Sequence, residues 1–199
     1  MTELVTSAPT QAPTATATEA TDDSLISLYL TGDQAAFEQL YGRYKTSLYG
    51  YFRRQLPDAM ANDAFQDTWI RLIDSLQKYQ ANEQFSGYLF TIAHNTLMDY
   101  HRKQARNPEV TNDDAIEFPA QKDDEPDRVQ DRAETLRNFQ NELKKLPIQQ
   151  RSAWVLKQET NFSNEEIARL TDTSAEGVKS RLRYASEKLK AGMQKYVSR

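Results

Sequence analysis

Apolar residues repeat with the period of an α-helix in two separate blocks of this chain. No segment alternates apolar and polar residues as a strand does, so the pattern predicts an all-α fold. In the first block, Asp33 can cap a helix, Pro57 marks a break, and a further helix begins near Phe85. The second block ends one helix before Pro147 and then resumes. The apolar stripes are Ala36, Phe37, Leu40, Tyr41 and Tyr44; Ala64, Phe65, Thr68, Trp69 and Leu72; Leu89, Ile92, Ala93, Leu97 and Tyr100; and Leu136, Phe139, Leu143 and Leu146.

The segment between the blocks, residues 107–130, is acidic, contains three prolines and has no helical period. It is therefore interpreted as a flexible acidic linker. Residues 1–22 are rich in Thr, Ala and Pro with little to bury, which predicts a disordered tail. The expected organisation is two small helical domains, residues 23–106 and 131–199.

Composition excludes several classes of protein. The chain of 199 residues has a net charge of −4, which argues against a uniformly basic nucleic-acid coat protein. It has no cysteine, so disulfides and cysteine-ligated zinc are excluded. No apolar run approaches the roughly 20 residues needed to span a bilayer, and no signal peptide is expected. The charge is segregated, however: residues 174–199 carry an excess of Lys and Arg, which indicates a basic working surface.

A helix, a tight turn and a second helix are predicted after residue 162. Ser163 and Glu166 have the spacing of a capping box that begins a short helix. The polar residues 171–173 interrupt it, and Asp172 can adopt a left-handed turn conformation. Either Thr173 or Ser174 can cap the second helix.

The second helix has an inward stripe at offsets 0, 4, 7 and 11 and a basic outer face. Its inward residues are Val178, Leu182, Ala185 and Leu189, and its outward residues are Lys179, Ser180, Arg183 and, at the edge, Arg181. This layout is typical of a helix-turn-helix that docks in the DNA major groove. A solvated helical hairpin is the alternative.

The segment "LPIQQRSAWVLKQETNFSNEEIARLTDTSAEGVKSRLRYASEKLK" resembles the C-terminal domain of sigma-70 family sigma factors of the extracytoplasmic-function group. It departs from the family at residues 171–173, where an apolar residue, a Gly and another apolar residue are usual. The resemblance implies that this domain binds the duplex −35 promoter element. The implied DNA contacts are Ser174, Lys179, Ser180, Arg181, Arg183 and Tyr184.

The segment "NDAFQDTWIRLIDSL" resembles the family's helix that binds core RNA polymerase, with Asp63, Gln66 and Asp67 at the matching positions. These three residues share one face of the helix. Two other interpretations exist. Paired acids can perform general acid/base chemistry, but no histidine, nucleophile or apolar pocket flanks them. They can also form an ordinary solvated face.

The segment "FSGYLFTIAHNTLMDYHRK" resembles the family's promoter-melting helix, which implies binding of the single-stranded −10 element. The implied contacts are Tyr88, His94, Asn95, Asp99, His101, Arg102, Lys103 and Arg106. Aromatic and basic side chains together suit unpaired bases and phosphates. A structural role is the alternative, since Asp99 can pair with Arg102 or Lys103. No third ligand is positioned with His94 and His101, so no metal site is expected.

The resemblance implies a sigma factor that binds core RNA polymerase, directs it to specific promoters and promotes DNA melting. It implies a cytoplasmic protein that is not an enzyme, with no catalytic residue, cofactor, small-molecule substrate or membrane insertion. Whether an anti-sigma factor binds it stays open. The alternatives are a helix-turn-helix regulator that acts without joining the polymerase and a helical adaptor that binds only proteins.

Overall fold

The computed structural model describes residues 20–80, 84–106 and 126–197 of the chain, with side chains from residue 134 to 196 in the last range. The described residues form α-helices and one short 3₁₀ turn, residues 76–78, and no strand. The all-α prediction is confirmed. The helices are α1 Asp22–Leu30, α2 Gln34–Arg53, α3 Asp58–Ser75, α4 Phe85–Arg106, α5 Pro126–Lys144, α6 Ile148–Glu159, α7 Asn164–Leu170 and α8 Ala175–Val197.

The N-terminal domain begins slightly earlier than the predicted tail boundary at residue 22. Asp22 is the first residue of α1, and the Thr21 side chain accepts a hydrogen bond from Ser24 N. Asp22 also holds α1 against α2, because its carboxylate pairs with Arg43 at 2.7 Å and accepts a hydrogen bond from the Tyr44 hydroxyl. Most of the predicted tail lies outside the described residues.

The predicted linker, residues 107–130, also lies largely outside the described residues. Its C-terminal boundary differs from the prediction, because α5 begins at Pro126. Proline suits the first position of a helix, since its fixed φ is helical and its missing N–H would be unpaired there in any case. A proline that the sequence pattern assigns to the linker therefore starts a helix.

The core of the N-terminal domain lies where α2, α3 and α4 pack together. The capping of α2 by Asp33 is confirmed by a 2.9 Å hydrogen bond from Ala35 N. Trp69 on α3 packs edge-on against Phe37 of α2, with ring centroids 5.7 Å apart. The buried side chains include Leu40, Leu48, Tyr51, Phe52, Ala64, Leu72, Leu89, Phe90 and Leu97.

The C-terminal domain packs α5 and α6 against the long helix α8, with α7 at one end. Its buried residues include Leu143, Leu146, Ala153, Val155, Leu156, Ile167, Leu170, Val178, Ala185 and Leu189. Across the described ranges, no helix combines the length and the apolar character that a membrane crossing needs.

The two domains also pack against each other, with α2 against α6 and α4 against α7. Phe90 of α4 meets Phe162 of the α6–α7 loop, with ring centroids 5.6 Å apart. Arg54 at the end of α2 pairs with Glu159 at the end of α6. The sequence pattern did not predict this contact between domains. We refer to it below as the closed arrangement.

Candidate nucleic-acid interface

The first half of the helix-turn-helix forms as its sequence predicts. The Ser163 hydroxyl accepts a hydrogen bond from Glu166 N at 3.2 Å, and the Glu166 carboxylate accepts one from Ser163 N at 2.7 Å, so the capping box is confirmed. Hydrogen bonding of the Glu166 carboxylate to the Ser163 backbone, and then to the Ser163 side chain, lowers the pKa of Glu166. Asp172 has a φ of 48°, which confirms its left-handed conformation. A short polar side chain tolerates this conformation better than a bulky one.

The second helix of the motif, α8, is capped by one of the two residues that the sequence allowed. Gly177 N donates to the Ser174 hydroxyl at 3.0 Å, so Ser174 is the capping residue. Gly177 itself lies close to the turn, because a Cβ at this position would come within 2.9 Å of Thr173 Oγ1. The absence of a side chain at residue 177 therefore lets the turn approach the helix closely.

The outer face of α8 presents the basic residues that the resemblance assigns to duplex DNA. Lys179 is 71% exposed and lies 3.7 Å from Glu176, a loose contact that leaves the ammonium accessible. The Arg183 guanidinium lies over the exposed Tyr184 ring, 4.8 Å from its centroid. Ser180 and Arg181 are half-buried. The face can therefore offer cationic and hydroxyl groups to phosphates and base edges.

The acidic face of α3 is only partly a free surface. Asp63 and Gln66 are exposed, but Asp67 is half-buried. The Tyr100 hydroxyl of α4 donates a hydrogen bond to Asp67 Oδ2 at 2.9 Å. Burial and this hydrogen bond both raise the pKa of Tyr100. Asp67 therefore does not lie on an ordinary solvated face, because its carboxylate also holds α3 against α4.

Sequence reasoning missed two apolar side chains beside the acidic ones. Ile70 is 58% exposed and Ile73 is 40% exposed on α3. Ile70 follows Asp63 by seven residues, so the two lie on the same helical face. The available signal was that both isoleucines fall outside the buried stripe of α3. Exposed apolar groups bordered by carboxylates are typical of protein-binding surfaces.

The polar face of α4 is largely open at its C-terminal half. Asn95, Arg102, Lys103 and Arg106 are exposed. Asp99 pairs with Arg102 at 2.6 Å, as the structural alternative predicted, and also with Arg71 of α3 at 3.0 Å.

At the beginning of α4, Tyr88 has an intermediate exposure. Its hydroxyl donates to Ser75 O at 3.3 Å, and its ring lies 5.3 Å from that of Tyr79. Tyr88 also lines a cleft of about 680 Å³ between α4 and α7. Tyr88 therefore packs against Tyr79 and also borders this cleft.

The first histidine of α4, His94, faces the C-terminal domain rather than solvent. Its Nδ1 lies 3.1 Å from both the Tyr51 hydroxyl and the Ser152 hydroxyl. Burial, and then the positive charge of Arg181, lower the pKa of His94 to about 4. The imidazole is therefore neutral near pH 7 in the closed arrangement.

The second histidine, His101, lies with its Nε2 3.5 Å from Arg151 Nη2 of α6. Burial, and then the charge of Arg151, lower its pKa to about 4. DNA contacts by His94 and His101 stay a prediction that requires the domains to separate. Within the described ranges, no group of three or more His, Asp or Glu side chains could hold a metal ion.

Known proteins match both domains of this chain. The family model for sigma-70 region 2 matches residues 40–107, and the model for sigma-70 region 4 matches residues 136–189. RNA polymerase sigma factor YlaC of Bacillus subtilis is 28% identical over 163 residues, covering 80% of this chain and 93% of that protein. The ECF RNA polymerase sigma-E factor of Escherichia coli is 28% identical over 186 residues, covering 90% and 97%.

Solved structures have the same fold. CnrH, in complex with the cytosolic domain of CnrY, matches with a TM-score of 0.62 and 26% identity over 85% of this chain and 95% of that chain. The sigma factor RpoE of Bartonella quintana, in complex with the anti-sigma factor NepR, matches with a TM-score of 0.67 and 23% identity over 79% and 96%. Regions 2 and 4 occur here in one chain and in this order, together with the helix-turn-helix geometry described above. The chain belongs to the sigma-70 family, in its extracytoplasmic-function group.

Proposed function

We propose that this protein binds core RNA polymerase, directs it to specific promoters and helps to melt the DNA there. The observation that carries the proposal is the pairing of a region 2 domain and a region 4 domain in one chain, each with its predicted surface groups. A regulator that acts without the polymerase would have no need of a region 2 domain. The protein therefore acts as a dissociable subunit in the cytoplasm and not as an enzyme.

The C-terminal domain recognises the upstream duplex element through α8. The exposed ammonium of Lys179 and the Arg183 guanidinium bind phosphates or base edges. Tyr184 keeps the Arg183 guanidinium ordered through its ring, and a pre-ordered side chain loses less entropy on binding. Arg181, Ser180 and Ser174 lie beside this surface, and Ser174 contributes mainly by capping the helix.

The N-terminal domain holds the unpaired downstream element along α4. Asn95 offers hydrogen-bonding groups to a base, and Arg102, Lys103 and Arg106 supply positive charge for the phosphates. Asp99 orders this face by binding Arg102 on one side and Arg71 on the other. Tyr88 borders the cleft between α4 and α7, where its ring can stack on a base.

The face of α3 that carries Asp63, Gln66 and Ile70 binds the polymerase. The carboxylates suit a basic partner helix, and the exposed isoleucines supply apolar area that is buried on binding. The acidic segment, residues 107–125, suits a basic channel of the polymerase, where it would imitate nucleic acid. Since the similar sigma factor RpoE was solved in complex with an anti-sigma factor, an anti-sigma protein is also proposed as a partner.

Reconstitution with core polymerase tests this function. The purified chain and core enzyme are incubated with a library of templates with random upstream sequence, and the 5′ ends of the RNA are sequenced. The proposal predicts that start sites share two sequence blocks, one near −35 and one near −10. Initiation with no shared blocks, or no increase over core enzyme alone, would reject it.

A further inference from the structure

The contact between the two domains covers residues from both proposed DNA surfaces. His94 and His101 of α4 lie against α6, and Arg181 of α8 is close enough to His94 to lower its pKa. The arrangement therefore places part of the −10 surface against part of the −35 surface. In each surface, the covered residues are not available to promoter DNA while the domains are in contact.

The distance between the promoter elements excludes simultaneous binding by the closed arrangement. Positions −35 and −10 are separated by roughly 25 base pairs, or about 85 Å of duplex at about 3.4 Å per base pair. A domain of roughly 80 residues has a radius of gyration of about 12 Å and is thus about 30 Å across. Two such domains in direct contact cannot occupy both elements, so the domains must separate.

Some groups in the contact stabilise it, and one buried charge destabilises it. Tyr51 and Phe90 are fully buried, Phe162 and Ser152 are nearly so, and Arg54 pairs with Glu159 across the contact. Arg151, in contrast, is a buried cation: its Nη1 donates to Lys144 O at 3.2 Å, its Nη2 lies 3.5 Å from His101 Nε2, and its Nε has no hydrogen-bond partner among the described residues. A buried cation without a carboxylate is costly. The closed arrangement is thus held by apolar packing and hydrogen bonds, and it is opposed by this charge.

We propose that the closed arrangement is a masked form of the protein, held shut by the hydrogen-bonded cluster of His94, Tyr51 and Ser152, and that proton uptake by His94 and His101 opens it. This inference rests on the proposed function. A neutral His94 uses its Nδ1 in this cluster. The groups facing His94 are Tyr51 of α2, Ser152 of α6 and the charge of Arg181 of α8, and the group facing His101 is Arg151 of α6.

The direction of the pH effect follows from these neighbours. Among the described residues, none of the groups facing either histidine is a carboxylate and two are arginines, so a proton on either imidazole meets unfavourable charge there. The pKa of each histidine is about 4 when closed and 6.5 when free. The closed form is thus fully favoured above pH 6.5 and loses stability as the pH falls from there towards 4. Between pH 7.5 and 5.5 the ratio of closed to open protein should fall about tenfold for each histidine, and about 100-fold for both.

Interdomain fluorescence energy transfer in the full chain measures the closure without DNA or polymerase. The chain has no cysteine, so the exposed positions Lys78→Cys and Lys188→Cys can carry the two dyes. We expect transfer to decrease between pH 7.5 and 5.5 while circular dichroism shows intact helices. The variant with His94→Asn and His101→Gln retains acceptors but does not titrate in this range, so its transfer should not change with pH. A wild-type signal that is independent of pH, or an equal decrease in this variant, would overturn the histidine mechanism.

Substitutions at two glycines of α2 test, independently of the histidines, whether the contact between the domains masks the DNA-binding residues. A Cβ at Gly50 would come within 2.5 Å of Glu159 Oε2, whereas a Cβ at Gly42 meets nothing within 4 Å. Both Gly50→Gln and Gly42→Gln should favour the helix about equally, but only Gly50→Gln displaces the Glu159 carboxylate and so weakens the Arg54–Glu159 pair that joins the two domains. Gly50→Gln should lower the energy transfer at pH 7.5 and tighten binding to a duplex −35 element several-fold, and Gly42→Gln should do neither.

The results separate the two proposals. Lower transfer in Gly50→Gln with unchanged DNA affinity would overturn the masking, and equal transfer in both glycine variants would overturn the role of the Arg54–Glu159 pair in holding the domains together. Failure of the wild-type protein to direct initiation by core polymerase would instead reject the proposed function, whatever the energy transfer shows.

Discussion

The hydrogen bond between Asp67 and Tyr100 allows the structural role of the α3 acidic face to be separated from polymerase binding. The Tyr100 hydroxyl donates to Asp67 at 2.9 Å and joins α3 to α4. A hydrogen bond to a charged group contributes about 1.5–3 kcal/mol when well shielded. Since both side chains are half-buried, we expect a coupling of about 1 kcal/mol between them.

A double-mutant cycle with Asp67→Ala and Tyr100→Phe measures this coupling by urea denaturation. Each single variant should lower the free energy of unfolding, and the double variant should lose about 1 kcal/mol less than the sum. Asp63→Ala with Tyr100→Phe is the matched control, because Asp63 is exposed on the same helix, and its effects should add. Additive effects in the Asp67 cycle would refute the assignment of a structural role to this carboxylate.

Three further predictions concern the proposed surfaces. Asp63→Arg should abolish core polymerase binding in a pull-down while circular dichroism stays unchanged, because this carboxylate is exposed; unfolding of the variant would contradict the assignment. Lys179→Ala and Arg183→Ala should each weaken binding to duplex −35 DNA. The slope of log affinity against log salt concentration should become shallower by about one unit for each phosphate that the variant no longer binds. Unchanged affinity in both variants would show that α8 does not bind this element. Asn95→Ala should leave closed-complex formation nearly intact and reduce open-complex formation in a footprinting assay. A template that is already mismatched near −10 should relieve this deficit. Normal opening on fully paired templates would assign Asn95 a structural role only.

Local sequence signals predicted the parts of the site that depend on neighbouring residues. The capping box of Ser163 and Glu166 joins groups three residues apart, and the left-handed conformation of Asp172 depends on its own side chain. The pairing of Asp99 with Arg102 likewise spans a single helical turn. In each case the groups involved are at most three residues apart, so local backbone geometry is sufficient to predict them.

Contacts between distant segments could not be predicted in the same way. The Asp67–Tyr100 hydrogen bond depends on how α3 packs on α4, and a helical face that is outward within one helix can still meet the next one. The same reason applies to His94, whose partners Tyr51 and Ser152 are 43 and 58 residues away. Periodicity assigns a face to a residue but does not name the neighbour on that face.

The central claim, that each domain recognises one promoter block, is tested most directly by combining protein variants with altered templates. Initiation rates are measured with core polymerase on a promoter with both blocks intact and on one with the upstream block scrambled, using the wild-type protein and the variant with Lys179→Ala and Arg183→Ala. The account predicts that the variant initiates more slowly than the wild type on the intact promoter and equally on the scrambled one. The same fractional loss on both templates would contradict it, because the effect of α8 would then be independent of the upstream block.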